Sequence, residues 1–148
     1  MLLSLALALA FVSAPPAPRA SWHPAIGDAW PTALPPRSAL IAAPAADPPG
    51  VTLAIIERAE DWARLRHALP ARVALPRFDA RRELALIVIH QGASQLDFHG
   101  FERAPDGTRA TLRWGPSPYF VAFEGPQLLV VIVPRAGHAG RLTGITFE

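Results

Sequence analysis

Glu83-Leu84-Ala85-Leu86-Ile87-Val88-Ile89-His90 is the stretch that decides the fold. Six apolar residues run without a break, closed by Glu83 on one side and by His90-Gln91-Gly92 on the other. Six is short for a helix, and Ile87, Val88 and Ile89 are β-branched, so the run predicts a strand. With no polar face, that strand must be interior and covered from both sides.

A second run, Leu128-Leu129-Val130-Val131-Ile132-Val133, carries the same message and is stopped by Pro134. Between and around these two runs the chain supplies their covers. Val51–Ile56 is a β-branched strand leading into Glu57–His67, where the spacing turns helical. Glu60 and Asp61 favour the start of that helix, Arg64, Arg66 and His67 favour its end, and Pro70 terminates it. Trp62 is the natural anchor of the helix on the central strand. Val73–Asp79 reads as a crossing segment with Phe78 inward.

Beyond the central strand, Gln95–Glu102 alternates at period two, with a slip at Gly100 that predicts a bulge. Pro105-Asp106-Gly107-Thr108 is a hairpin turn, and Arg109–Trp114 returns antiparallel. Tyr119–Phe123 is a short strand, Glu124-Gly125-Pro126-Gln127 a tight turn, and Arg141–Phe147 an edge strand. The fold class expected is α+β. It comprises a mostly antiparallel sheet of about seven strands, sandwich or half-barrel-like, with one main helix near residues 59–68.

Before Val51 the composition changes. Leu2 to Val12 form an apolar stretch interrupted only by Ser4, and Val12-Ser13-Ala14 offers the small residues a signal peptidase accepts. Residues 1–14 therefore read as a signal peptide, too short to span a bilayer of about 30 Å. The expected location is periplasmic or secreted, with no stable membrane span after cleavage. Residues 15–50 hold ten of the 17 prolines and read as a Pro/Ala-rich linker, extended or disordered. Trp22-His23-Pro24 and Trp30-Pro31 interrupt it, either as spots that dock on the domain surface or bind a partner, or, as the favoured reading, as parts of a loosely packed tether. The folded domain is expected over 51–148.

Composition excludes several classes. There is no Cys, hence no disulfide framework, thiolate metal site or nucleophilic thiol. All 14 basic residues are Arg against 12 acids, giving a net charge of only +2. The pI near 10.4 thus records missing lysines rather than a strong positive field. The arginines are scattered among acids, which argues against nucleic acid.

His90, Asp97 and His99 are the residues that would carry chemistry, as a metal site or acid–base pair in a small hydrolase. Asp97 and His99 share the strand face opposite Leu96 and Phe98, which is a solvent face. Ser94 has no strained elbow or flanking glycines to make it a nucleophile. Glu57, Glu60 and Asp61 belong to the helix start. No Gly-rich phosphate loop exists, and His23 and His138 have no companion ligands. The residues point to no enzyme, cofactor or metal. Tyr119, Phe120 and Phe123 form an unusually aromatic segment for a turn region and are the candidate partner-binding residues.

The order of these elements resembles the protease complex subunit PrcB-like family over about residues 51–147. Val51–Ile56 followed by Ala59-Glu60-Asp61-Trp62 is similar to its strand and helix opening. Leu75-Pro76-Arg77-Phe78-Asp79 is similar to its Asp-Phe element, in reversed order, and Glu83–Ile89 to the following strand. Pro118-Tyr119-Phe120-Val121 and Val131-Ile132-Val133-Pro134-Arg135 match later elements. The chain departs at Gly92-Ala93-Ser94-Gln95, where the family has a Gly-Gly-Tyr turn, and has no Cys to lipidate. The resemblance implies an exported, non-catalytic accessory module that stabilises or regulates a secreted protease through protein–protein contacts. It brings no catalytic residues with it.

Overall fold

The computed structural model describes residues 16–42, 48–119, 125–135 and 142–148. The expected signal segment 1–14, His138, and Phe120 and Phe123 of the aromatic segment lie outside these described residues. Within them the chain is mostly β, with seven strands in two sheets and two short helices.

The first sheet is built from β1 (Arg19–His23), β2 (Val51–Ile56), β3 (Glu83–His90) and β6 (Gln127–Pro134), in the order β1-β6-β3-β2, antiparallel throughout. The second contains β4 (Leu96–Arg103), β5 (Arg109–Pro116) and β7 (Gly144–Phe147), in the order β4-β5-β7. β4 and β5 are antiparallel, whereas β7 lies parallel to β5 at the sheet edge. Among the described residues neither sheet closes into a barrel. No helix there is long and apolar enough to cross a membrane.

The interior position of β3 follows from its sequence. Leu84 to Ile89 are all buried, and alternate side chains enter two different cores. Ala85, Ile87 and Ile89 pack on the helical side, while Leu84, Leu86 and Val88 face the second sheet. β6 repeats the division, with Leu128, Val130 and Ile132 on one side and Leu129, Val131 and Val133 on the other. Each such side chain taken out of water contributes roughly 1.5–3 kcal/mol before entropy is charged against it.

Helix α2 (Ala59–Ala68) covers the first core with Trp62 and Leu65, three positions apart on one face. The Trp62 ring meets Phe78 of the crossing segment, with centroids 5.0 Å apart and planes at 44°. Glu60 and Asp61 occupy the first turn, and Arg66 and His67 the last. The carboxyl of Glu60 is held below its ordinary range, first by its own backbone amide at the helix start and then by Arg58. Leu69 ends the helix by donating its amide to the Leu65 carbonyl at 3.1 Å.

Residues 19–42 differ from the expected linker. Although extended in places, this segment belongs to the folded unit. β1 forms five register pairs with β6, from Arg19 opposite Ile132 to His23 opposite Leu128. Ile26 is fully buried and donates its amide to the Pro126 carbonyl at 3.0 Å. Trp30 and Ala33 of helix α1 (Trp30–Ala33) enter the helical-side core, and Ile41 bridges to Ile145 of β7. The prolines permit this because they fall where a missing amide is harmless. Pro18 and Pro24 flank an edge strand, and Pro31 lies in the first turn of α1.

The expected slip in β4 is present: its register against β5 shifts between Phe98 and Gly100. The bulge lets Leu96, Phe98 and Phe101 all reach the second core. The hairpin also matches expectation. Asp106 Oδ1 accepts from the Thr108 amide at 3.0 Å, and Gly107 takes φ 72°. Tyr119 lies in a bend rather than in a strand, and the rest of the expected strand 119–123 lies outside the described residues.

Candidate functional site

Sheet and loop meet at the end of the molecule where β3 stops, β4 starts and β6 begins. Gln127 opens β6 opposite His90, the last residue of β3. Its side chain is fully buried, and it is the one buried polar residue among those described. Oε1 of Gln127 accepts from Trp22 Nε1 of β1 at 2.8 Å and from the Leu96 amide of β4 at 2.8 Å. Its Nε2 donates to the carbonyls of Ser94 at 2.6 Å and Gly92 at 3.1 Å, and faces His90 Nδ1 at 3.4 Å. One amide thus fixes the 91–95 loop and joins both sheets.

His90 is held by this arrangement rather than presented by it. Its ring lies where a side chain on Gly92 would sit, so a Cβ there would be 2.3 Å from His90 Cε1. His99 lies in a similar way over Gly115 of β5, 2.9 Å from the position of a Cβ. Asp97 accepts from Gln95 Nε2 at 3.3 Å. His90 is thus set apart from the other two, whereas Asp97 and His99 both border one groove beside β1. Among the described residues no group of three His, Asp or Glu side chains is arranged to hold a metal ion. Ser94 contributes its carbonyl to Gln127, and Glu57 accepts from Ser38 Oγ at 3.1 Å and through its carbonyl from Arg135. His23 contacts Ser21 Oγ at 3.1 Å, and burial pushes its pKa below the ordinary value.

Two grooves flank β1. On the second-sheet side, a groove of about 400 Å³ is lined by Trp22, Leu96, Asp97, Phe98, His99 and Pro118, among others, so that Asp97 and His99 share it and His90 does not. Tyr119, next in sequence to the lining residue Pro118, is 76 % exposed, the one large hydrophobic side chain so exposed among the described residues. On the helical side, a groove of about 810 Å³ runs between α2 and the crossing segment. Arg19, Arg66 and Arg77 line it, with Trp62, Leu75 and Phe78 as its apolar part. Its acids are already engaged. Glu83 Oε1 pairs with Arg19 at 2.8 Å while its Oε2 accepts from the Asp79 amide at 2.9 Å. Burial alone would raise the Glu83 pKa, but the Arg19 and Asp79 hydrogen bonds outweigh it and hold the carboxyl below its ordinary range.

Of the three aromatic residues expected to bind a partner, Tyr119 is thus placed on the surface, and Phe120 and Phe123 lie outside the described residues. The sequence placed Gln127 in a turn, and favoured a tether for Trp22 over the docking on the domain that its hydrogen bond to Gln127 represents. A usable signal existed. The two interior strands are each bounded by a polar residue at the same end of the sheet, His90 and Gln127, and paired polar ends of two buried strands must satisfy one another.

No protein-family profile, curated protein or solved structure matches the chain.

Proposed function

We propose that the chain is an exported, non-catalytic binding module that accompanies a protein partner, a secreted protease in the reading its PrcB-like elements suggest. The scaffold in this reading is an α+β sandwich with α2 as its main helix, offering preformed surfaces rather than a reaction centre. The observation that carries the proposal is Tyr119, a large exposed aromatic beside the groove of Trp22, Leu96 and Phe98. An amphipathic ring next to an apolar groove is the kind of anchor that protein interfaces use.

The test is capture from periplasmic and secreted fractions with the C-terminally tagged mature chain, followed by mass spectrometry. A secreted protease recovered at stoichiometric level is expected, with recovery lost for Tyr119→Ala and no change in melting temperature. Recovery of no protein above background, or recovery indifferent to Tyr119, would overturn the proposal.

A further inference from the structure

We infer that the groove between α2 and the crossing segment is a docking site for an acidic peptide segment bearing aliphatic side chains. This inference rests on the binding-module reading above and assigns that module a second, chemically distinct contact.

Positive charge is left over in this groove. Three guanidinium groups and two carboxylates line the groove. Arg19 is committed twice, to Glu83 Oε1 at 2.8 Å and to the Arg77 carbonyl at 3.0 Å. Glu83 is saturated by Arg19 and the Asp79 amide, and Asp79 accepts from the Arg81 amide at 3.0 Å and lies 4.0 Å from Arg82. That leaves Arg66, in the last turn of α2, and Arg77. Neither has an ion pair or side-chain hydrogen bond among the described residues. Two unmatched guanidinium groups therefore face a groove whose own acids are neutralised.

The rest of the lining selects among anions. Trp62, Leu75, Pro76 and Phe78 give the groove an apolar part, and Trp62 and Phe78 are fixed against each other at 5.0 Å. A free inorganic anion would use the arginines and leave this surface wet. A peptide with glutamate or aspartate next to leucine or valine would use both, since guanidinium binds carboxylate in a bidentate fork while aliphatic side chains cover the half-buried Leu75, Pro76 and Phe78, with buried Trp62 behind them. The crossing segment presents this surface on a rigid support. Asp79 and Glu83 tie its end to β3, and Phe78 packs into the helical-side core.

The experiment uses the full mature chain and a fluorescein-labelled peptide of alternating leucine and glutamate, read by anisotropy. Its counterpart with glutamine in place of glutamate, inorganic phosphate, and anionic lipid vesicles serve as comparison probes. The glutamate peptide should bind at least about tenfold more tightly than the glutamine peptide. That margin should shrink as salt rises. The double variant Arg66→Gln with Arg77→Gln should erase the margin with at most a small fall in melting temperature, since neither side chain has an ion pair to lose and the charge of Arg66 at the end of α2 is worth only about 0.3–1 kcal/mol. Equal binding of the two peptides, an unaffected double variant, or displacement of the peptide by phosphate or vesicles would each overturn the inference. Tyr119→Ala serves as the separating control. If it abolishes protease capture while the double variant changes nothing, the docking groove fails and the binding-module reading stands.

Discussion

Trp22 and Gln127, 105 residues apart in sequence, share a hydrogen bond of 2.8 Å from the indole Nε1 to Oε1, and the same oxygen accepts from the Leu96 amide. Replacing Gln127 with Leu would keep the volume and strip both acceptor and donor. The indole N–H, the Leu96 amide and the carbonyls of Gly92 and Ser94 would lose their partner together. Groups orphaned in this way cost about 1–3 kcal/mol each when they stay dry, and some will find water. The expected loss for Gln127→Leu is about 3 kcal/mol in urea unfolding. A loss below about 1 kcal/mol would show that the hub is dispensable.

Gly92→Ala should act through His90. The new Cβ would fall 2.3 Å from the imidazole, so the ring must swing away from Gln127. We expect a loss of about 1–2 kcal/mol in the native background, and a much smaller one when His90 is already Ala. Equal losses in the two backgrounds would place the cost in the backbone rather than in the ring contact.

A fragment beginning at Val51 should not hold the native fold. It would lack β1, leaving the outer edge of β6 bare, and would lack the buried Ile26, Trp30 and Ile41. Losing three such side chains removes on the order of 5 kcal/mol, comparable with the whole stability of a small domain. Far-UV circular dichroism and thermal melting of the chain from Pro16 and from Val51 make the comparison. A cooperative melt for the shorter fragment at the same temperature would refute the assignment of residues 19–42 to the fold.

The pH dependence of stability should carry a contribution from His23. Burial lowers its folded pKa below the ordinary 6.5, so the folded state prefers the neutral ring. The stability contributed is complete above the unfolded pKa and is lost as pH falls from about 6.5 through the folded value. Glu83 adds a second loss at lower pH. Its folded pKa is also depressed, so its contribution fades as pH falls from the ordinary carboxylate range through the folded value. Chemical unfolding at a series of pH values should show the first loss diminished in His23→Gln and the second diminished in Glu83→Gln. An unchanged profile in His23→Gln would remove His23 as the source.

Much of the fold was legible because long apolar runs are hard to misread. The stretches at 84–89 and 128–133 announce buried strands, and the structure places them side by side as β3 and β6. Helix α2 was readable from Trp62 and Leu65 and from its end charges, and the bulge from the break in alternation at Gly100. β1 was hidden for a physical reason. Arg-Ala-Ser-Trp-His has one large apolar residue, and its pairing depends on a partner strand more than a hundred positions away. Local pattern cannot report such a partner. β7 is four residues long, so nothing in it specifies a parallel neighbour. The hub was missed because Gln127 follows Gly125-Pro126 and reads as part of their turn. Asp97 and His99 were read as sharing one strand face, and they border one groove, while His90 at the end of β3 is held against Gln127 and Gly92 instead.

β1 also sets the order in which the molecule can be assembled. Its strand partner among the described residues, β6, is synthesised about a hundred residues later, and Ile41 waits about as long for Ile145. The β4–β5 hairpin can close early, and β2 and β3 can pair once α2 and the crossing segment between them are made. The first strand must remain open until nearly the last residues are available, and closing so large a loop is slow. A chain delivered from its N-terminus therefore stays incomplete, with the β6 side of its sheet unformed, until almost all of it has emerged. Late completion of this kind holds the folding step back until synthesis of the chain is nearly over.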